Sequence, residues 1–320
     1  MKILVTPTSF KSDSDSPAMK KLRSFSGALV FNPLGKPLSE EELIPLISDC
    51  DGCIAGLDFF TAKVIENAPA LKVISRYGIG FDRVDMAAAK ARNIAVCITP
   101  GANAQAVADL TFALLLSAAR RVPVLDRKTK EGQWPRSTGM ELYGKTMGIL
   151  GLGAVGRGVA KRASGFSMKV LACDPFIDRQ YAEANGIVPA DFETVTREAD
   201  FLSLHLPLTE ETRYIISARV MKSMKKGAII VNTARGGLID EDAAYELLLS
   251  GHLGGMGLDV YEIEPPEKSP LFDLENVVLT PHTAAHTLEA TNAMAEMSVQ
   301  NLIDVLSVRD CRNVVAALSP

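Results

Sequence analysis

Short apolar runs alternate with amphipathic stretches along the whole chain, and this alternation is typical of α/β proteins with parallel sheets. In the first third, five runs rich in Val, Ile and Leu predict buried strands. Stretches with helical spacing separate them, and "SEEELIPLIS" opens like a capping box formed by Ser39 and Glu42. The predicted strands cover residues 2–7, 28–32, 53–57, 71–78 and 94–99.

A second series of strands follows a long helical stretch at 103–121, which begins after the Pro100–Gly101 breaker. Six strands with helices between them match a complete doubly wound dinucleotide-binding domain, and the five strands before them match a smaller version. A further helix is predicted from Thr287 to about Leu306. The second series covers residues 146–152, 168–174, 201–207, 227–233, 255–261 and 276–281.

Composition narrows the classes of partner. The 320 residues are 47% hydrophobic and 22% charged, with a formal net charge of −4. This balance predicts a packed globular protein with no general attraction to nucleic acid or anionic membranes. The longest apolar stretch, Leu110–Ala119, is too short to span a bilayer, and the N-terminus lacks a signal-peptide pattern. We therefore expect a cytoplasmic protein whose partners are small molecules or copies of itself.

The five cysteines, an odd number, predict reduced thiols rather than a disulfide framework. Cys50 and Cys53 form a CxxC motif. A zinc site would need a second pair of ligands, and a thioredoxin-type site would need a helix N-terminus. The motif instead lies where a predicted helix ends and a buried strand begins, so we predict neither function for it.

A glycine-rich turn supplies the strongest local motif. Gly151, Gly153 and Gly156 form GxGxxG directly after a predicted strand and at the start of a predicted helix. Such glycines let the backbone approach a pyrophosphate at the helix N-terminus. Asp174 ends the next predicted strand, at the spacing of the carboxylate that binds the adenosine ribose. Because a carboxylate repels a 2′-phosphate and no arginine follows it immediately, we predict NAD rather than NADP as cofactor.

Three candidate catalytic residues follow three predicted strands of the second series. Arg235, Glu264 and His282 come after strands that should end at one edge of the sheet, where ligands of open α/β sheets bind. Hydride removal from a secondary alcohol needs a base for the hydroxyl proton, and histidine titrates in the useful range. His286 lies four positions after His282, but no cysteine or further histidine is nearby to complete a metal site.

The sequence resembles the D-isomer-specific 2-hydroxyacid dehydrogenases over nearly the whole chain. The matching segments run in that family's order: "GKTMGILGLGAVGRGVAKR", "LHLPLTEETR", "NTARGGLIDEDA", "GLDVYEIEPP" and "LTPHTAAHT". The resemblance implies that Arg235 binds and polarises the substrate, that His282 is the acid/base group and that Glu264 orients it.

The same resemblance implies a fold and a set of contacts. Residues 1–99 with 287–320 would form a smaller, flavodoxin-like substrate-binding domain, and 100–286 a Rossmann NAD-binding domain, with the substrate between them. Substrate contacts would come from Arg76, from the backbone N–H groups of Ile79 and Gly80, and from Asn103 and Arg136. The implied cofactor-binding residues are Gly151, Gly153, Ala154, Val155, Gly156, Asp174, His205, Pro207, Thr212, Thr233, Ala234 and Asp259.

Within that family the chain is most similar to short-type D-3-phosphoglycerate dehydrogenases, in which Arg76 and Arg136 would face the phosphate. Those enzymes have a further arginine where this chain has Gly56 and Leu57. Glyoxylate, hydroxypyruvate or another short 2-keto acid is the alternative substrate.

A different functional class stays open, because some relatives of this fold are NAD(H)-sensing corepressors. The resemblance also implies a homodimer that buries part of the 103–121 helix.

The other histidines allow ordinary structural roles. His205, in a predicted strand, is either a core histidine or a wall of the cofactor pocket, and His252 follows Gly251 at a predicted helix end.

Overall fold

The computed structural model describes residues 1–266 and 268–315, and the chain forms two compact units. The first unit comprises Met1–Asn103 and the chain from His286 onward. The second unit is Ala104–Ala285. The sequence-based division falls within a few residues of these boundaries, and residues 316–320 of its last segment lie outside the described part of the chain.

The first unit contains a five-stranded parallel sheet in the order β2-β1-β3-β4-β5. This is the flavodoxin-like order of a doubly wound fold. Each strand is shorter than predicted, because only the apolar centre of each run pairs with its neighbours. The strands are β1 (Lys2–Val5), β2 (Ala28–Phe31), β3 (Gly52–Ala55), β4 (Val73–Arg76) and β5 (Ala95–Cys97).

In the described part of this unit the helices are α1 (Pro17–Phe25), α2 (Glu40–Ile47), α3 (Ala62–Glu66), α4 (Met86–Ala91) and α12 (Leu288–Leu306). The predicted capping box is present at the start of α2, where Ser39 and Glu42 bond each other's backbone. Helix α12 packs on α1, β3 and β4, so the last segment of the chain supplies part of the first unit's core through residues such as Val299 and Leu302.

The second unit contains a seven-stranded parallel sheet in the order β12-β11-β10-β9-β6-β7-β8. The order reverses between β6 and β9, which is the switch point of a Rossmann sheet. The sequence predicted six of these strands and missed β8, because three residues ending in proline give almost no strand pattern. The strands are β6 (Thr146–Leu150), β7 (Lys169–Cys173), β8 (Ile187–Pro189), β9 (Phe201–Leu204), β10 (Ile229–Asn232), β11 (Gly255–Leu258) and β12 (Val277–Leu279).

The predicted helical stretch at 103–121 is present, but a second helix follows it. Arg121 adopts a left-handed conformation with φ of 54°, which ends the first helix, and the next begins at Val122 with Pro123 in its first turn. The first of these helices lies so close to the sheet that a Cβ on Gly257 would meet Leu114 at 2.8 Å. The helices are α5 (Ala104–Arg120), α6 (Val122–Lys130), α7 (Ala154–Gly165), α8 (Arg179–Ala184), α9 (Phe192–Glu198), α10 (Ala218–Ser223) and α11 (Glu241–Leu249).

The helices and the cysteines of the described residues bear on membrane insertion and on the CxxC motif. Across residues 1–266 and 268–315, no helix combines the length and apolar character that crossing a membrane requires. All five cysteines are free thiols, and Cys50 and Cys53 are both buried. Burial raises the pKa of each of these two thiols, so neither has the character of a reactive CxxC thiolate.

Candidate active site

The glycine-rich turn joins β6 to α7 at the switch point of the second sheet. Gly151 has φ of 93°, which favours glycine, and a Cβ there would lie 2.5 Å from the His205 carbonyl oxygen. A Cβ on Gly156 would lie 2.1 Å from the Gly151 carbonyl oxygen, so this turn closes only with glycine at both positions. The turn therefore brings the start of α7 directly over the end of the strand.

The N-terminus of α7 faces solvent at Gly153 and Ala154, while Val155 packs on the core. Space within 4 Å of a Cβ built on Gly153 is empty, and no side chain in the described ranges caps this end of the helix. Unpaired N–H groups at a helix N-terminus attract anions. The turn thus has the open backbone and the positive end that a pyrophosphate needs.

Asp174 follows β7 and is tied to the glycine turn. One carboxylate oxygen accepts the Leu152 N–H at 2.7 Å, and the other accepts the Phe176 N–H at 2.8 Å. A carboxylate has about four acceptor positions, so two can still receive hydroxyl groups. The geometry therefore fits a ribose-binding carboxylate, and it also gives Asp174 a structural role in shaping the turn.

The sequence suggested that His205 lies in a strand. In the structure it lies one residue beyond the end of β9. Its Nε2 is 2.8 Å from the hydroxyl oxygen of Ser203. One edge of the residue reaches solvent, yet burial of the ring lowers its pKa to about 3. The imidazole is therefore neutral at pH 7, as a cofactor-pocket wall or a core histidine would be.

Four of the remaining predicted cofactor contacts of the second unit lie in two turns. After β9, the Thr212 hydroxyl donates to the Pro207 carbonyl oxygen at 2.7 Å, which closes the 207–212 loop. After β10, the Thr233 hydroxyl lies 3.0 Å from the hydroxyl of Thr111 on α5, and the Ala234 N–H donates to the Asn232 side chain at 3.0 Å. Both turns are held rigidly by side-chain bonds to the backbone.

Arg235, Glu264 and His282 follow the neighbouring strands β10, β11 and β12. The turn at Arg235 packs against the segment after β11: a Cβ on Gly236 would lie 1.9 Å from the Tyr261 carbonyl carbon. That close backbone contact brings the Arg235 turn next to the chain that leads to Glu264. Buried Asn232 stabilises the turn by donating to the Arg235 carbonyl oxygen at 2.7 Å.

His282 and Glu264 form a direct pair. The Nδ1 atom of His282 lies 2.8 Å from a Glu264 carboxylate oxygen, and the other oxygen accepts the Tyr261 N–H at 3.1 Å. The His282 side chain is 26% exposed and that of Glu264 is 12% exposed. A carboxylate on Nδ1 fixes the tautomer and leaves Nε2 to exchange a proton.

Asp259 holds the turn that carries His282. Its fully buried carboxylate accepts hydrogen bonds from the Thr280 hydroxyl at 2.6 Å and from the N–H groups of Thr283 and Ala284 at 2.8 and 2.9 Å. Within this turn His282 has φ of 52°, a left-handed conformation that is uncommon for histidine. Strained backbone of this kind is frequent at functional sites and needs surrounding bonds to maintain it.

Sequence reasoning missed the residues that support this turn. Tyr261 donates its hydroxyl to the Thr280 carbonyl oxygen at 2.8 Å, and burial, with Asp259 and Glu264 nearby, raises its pKa to about 12. Ser203 and Asn232 were missed as well. Each occupies a strand position where an apolar residue is expected, and a buried polar residue next to a candidate site is the signal that could have identified them.

The predicted substrate residues of the first unit lie at the end of β4, in the segment after it and directly before α5. Arg76 is buried, with 5% exposure, and its Nε donates to the Gly80 carbonyl oxygen at 2.9 Å. The Thr99 N–H donates to the Gly78 carbonyl oxygen at 3.0 Å. Within the described ranges the N–H groups of Ile79 and Gly80 donate to no protein acceptor. Asn103 directly precedes α5.

Two further residues, one predicted to bind substrate and one considered as a metal ligand, are exposed. Arg136 is exposed in the irregular segment between α6 and β6 of the second unit. His286 is exposed as well, at the start of the last segment of the first unit. The described part of the chain contains no group of three or more His, Cys, Asp or Glu side chains arranged to hold a metal ion. His252 bonds the Met221 carbonyl oxygen at 3.0 Å, which is a structural contact.

Comparison with known sequences identifies the second unit. The family described as D-isomer specific 2-hydroxyacid dehydrogenase, NAD binding domain, matches residues 112–284. This range begins in α5 and includes the glycine turn, Asp174, Arg235, Glu264 and His282. NAD is therefore the cofactor that the matched family binds.

Individual relatives carry different substrate names. The chain is 44% identical to the D-3-phosphoglycerate dehydrogenase of Methanocaldococcus jannaschii over 87% of this chain and 54% of that protein. It is 42% identical to the glyoxylate reductase of Korarchaeum cryptofilum over 83% of each chain. A crystal structure of a glyoxylate reductase from Paecilomyes thermophila superimposes with a TM-score of 0.86, covering 99% of each chain at 28% identity. The chain thus spans about half the length of the first relative and most of the other two.

We predict that Asp174→Ala weakens NADH binding by about ten- to a hundredfold, because hydrogen bonds to a charged group are lost, while NADPH binding changes little. Dissociation constants measured by nucleotide fluorescence would give the two values. Asp174→Asn is the matched control, since its amide oxygen can still accept one of the two backbone N–H bonds of Leu152 and Phe176, while the charge that repels a 2′-phosphate is removed. An NADH/NADPH ratio unchanged in both variants would contradict the assignment.

Proposed function

Because this chain belongs to the D-isomer-specific 2-hydroxyacid dehydrogenases, a family of NAD-dependent oxidoreductases, we propose that it interconverts a D-2-hydroxy acid and the corresponding 2-keto acid. The observation that carries the proposal is the 2.8 Å contact between His282 and Glu264. This pair lies at the same edge of the sheet as the Arg235 turn, and the open glycine turn belongs to the same unit. Bound NAD supplies the hydride chemistry.

The side chains have complementary roles in the proposed mechanism. During reduction, the His282 imidazolium donates the proton on Nε2 to the oxygen of the keto group. Glu264 keeps the other ring nitrogen protonated and stabilises the positive charge of the imidazolium. The guanidinium of Arg235 donates paired hydrogen bonds to the substrate and polarises its carbonyl group. In the reverse direction neutral His282 accepts the hydroxyl proton.

We predict that His282→Asn lowers turnover by about 10²- to 10⁴-fold while the NADH dissociation constant stays nearly unchanged, because only the proton donor is lost. Asparagine is preferable to alanine here, since it tolerates the left-handed backbone at this position. His286→Asn, an exposed histidine four residues further on, is the control and should keep wild-type turnover. Full turnover in His282→Asn would refute the assignment.

For the substrate, we propose 3-phosphoglycerate and its 2-keto acid. The sequence identity to a phosphoglycerate dehydrogenase supports this choice. So does the chemistry of the proposed contacts: the N–H groups of Ile79 and Gly80 suit a carboxylate, Arg76 fixes their loop, and Arg136 is an exposed cation. Asn103 would complete the substrate contacts. The reductase alternative is supported by relatives of matching length, and by Gly56 and Leu57, which supply no cation.

Oxidation of NADH with a panel of 2-keto acids separates these substrates. We predict that 3-phosphohydroxypyruvate is preferred over hydroxypyruvate, and that Arg136→Met lowers this preference by about ten- to a hundredfold through the loss of a charge-assisted bond. The hydroxypyruvate rate of the variant is the internal control and should not change. Equal wild-type rates on both acids, or a preference for glyoxylate, would favour the reductase. No oxidation with any acid would favour the NAD(H)-sensing class.

We further propose a homodimer formed through the second unit. Trp134 and Tyr143 are 77% and 75% exposed, and Tyr143 borders a surface pocket of about 360 Å³ that Leu116 and Arg120 of α5 also line. Exposed aromatic residues beside a surface pocket are typical of protein interfaces.

We predict a mass of two chains by light scattering, with Tyr143→Asp shifted towards one chain because it places a charge in the interface. Phe176→Asp is the matched control, since Phe176 is also a highly exposed aromatic residue but does not line this pocket. A wild-type mass of one chain would contradict the dimer.

A further inference from the structure

The segment after α12 covers the open edge of the first sheet. Strand β5 is the last strand of that sheet, and Val314 forms an antiparallel bridge with Cys97. The Ile98 N–H donates to the Asn313 carbonyl oxygen at 3.0 Å, and the Val315 N–H donates to the Val96 carbonyl oxygen at 2.9 Å. An edge strand that would otherwise present unpaired backbone is thereby paired by a distant part of the chain.

This pairing brings two thiols into contact. The Sγ atoms of Cys97 and Cys311 are 3.8 Å apart, although the residues are separated by 214 positions in the sequence. Cys97 is fully buried, whereas Cys311 is partly exposed. From α12, the buried Asn301 holds the arrangement: its Nδ2 donates to the Ile98 carbonyl oxygen at 2.9 Å, and its Oδ1 contacts the Cys311 thiol at 3.6 Å.

We propose that Cys97 and Cys311 form a reversible disulfide that ties the C-terminal segment to the edge strand of the first unit. A disulfide bond is about 2.0 Å long, so the two sulfur atoms need to approach by less than 2 Å. Cys311 lies in an irregular segment between α12 and the bridge, where a small backbone adjustment does not disturb a strand or a helix.

A small-molecule disulfide such as oxidised glutathione is the oxidant. The Cys311 thiolate attacks one of its sulfur atoms, the glutathione S–S bond breaks, and one glutathione leaves as a thiolate and takes up a proton. Cys97 then loses its proton and attacks the Cys311 sulfur of the mixed disulfide. The second glutathione leaves with that proton, so two protein thiols are oxidised and one disulfide is reduced to two thiols.

The difference between the thiols sets the order of these steps. Cys311 is the thiol that an external disulfide can reach. Burial, and then the neighbouring Cys311, raise the pKa of the Cys97 thiol, so Cys97 reacts only once its partner is already oxidised. A dithiol reverses both steps.

The bond would join the two chain segments that build the first unit. In the reduced protein no disulfide joins these segments, Met1–Asn103 and the described chain from His286. The polypeptide connects them through the second unit. Closing so long a loop removes many conformations from the unfolded chain. Oxidation should therefore stabilise the first unit against thermal unfolding.

The test compares protein treated with oxidised glutathione at pH 8 and protein kept in dithiothreitol. Free thiols are trapped with N-ethylmaleimide, and unreduced digests are analysed by mass spectrometry. We expect a peptide pair joined through Cys97 and Cys311 that dithiothreitol separates. We also expect the melting temperature to rise by about 3–10 °C on oxidation. Cys311→Ser should abolish this rise, whereas Cys173→Ser, another partly buried thiol, should retain it.

Three outcomes would overturn the proposal. The digest could contain Cys311 joined to glutathione alone, or Cys50 joined to Cys53 with Cys97 still free. The melting temperature of Cys311→Ser could also rise on oxidation as much as that of the wild type. The peptide analysis uses the wild-type chain, so the result does not depend on how well any variant folds.

Discussion

A single buried carboxylate organises the edge of the second unit on which the proposed chemistry depends. Asp259 has no exposed surface, and an unpaired charge in that position would be strongly destabilising. The backbone and hydroxyl donors of residues 280–284 satisfy it in the conformation that this turn adopts. In that conformation the backbone of His282 is left-handed, and its Nδ1 atom contacts the Glu264 carboxylate. The position of the proposed proton donor thus depends on a residue that the solvent does not reach.

Close backbone contacts give the nucleotide-binding edge the same rigidity. Gly156 lies against Gly151, and Gly236 lies against Tyr261, at distances that leave no room for a side chain. The first contact closes the turn between β6 and α7, and the second packs the turn after β10 against the segment after β11. Neutral His205, placed behind the glycine turn, adds no positive charge that would compete with the helix terminus for an anion.

Local patterns in the sequence were enough to predict both parallel sheets, the glycine turn and its carboxylate, and the strand-end positions of Arg235, Glu264 and His282. The strand β8 was missed because its three residues carry no alternation, and α6 was missed because Arg121 changes the backbone direction without a glycine. The roles of Asp259 and Arg76 in bonding their own turns were also missed. Hydrogen-bond partners of buried side chains depend on which segments meet in space, and the spacing of residues along one chain does not contain that information.

The construction of the first unit from two distant segments has a consequence for biosynthesis. The faces of β3 and β4 that α12 covers are synthesised early, but α12 emerges from the ribosome only after all of Ala104–Ala285. At ordinary translation rates that interval is roughly 10 to 40 s. During this time the nascent first unit exposes apolar strands and an unpaired edge. When the interval ends, the whole sequence of the second unit has been made, but α12 has not. The later-made unit can therefore complete its folding first, and the earlier-made one is the part of the nascent chain that molecular chaperones would protect.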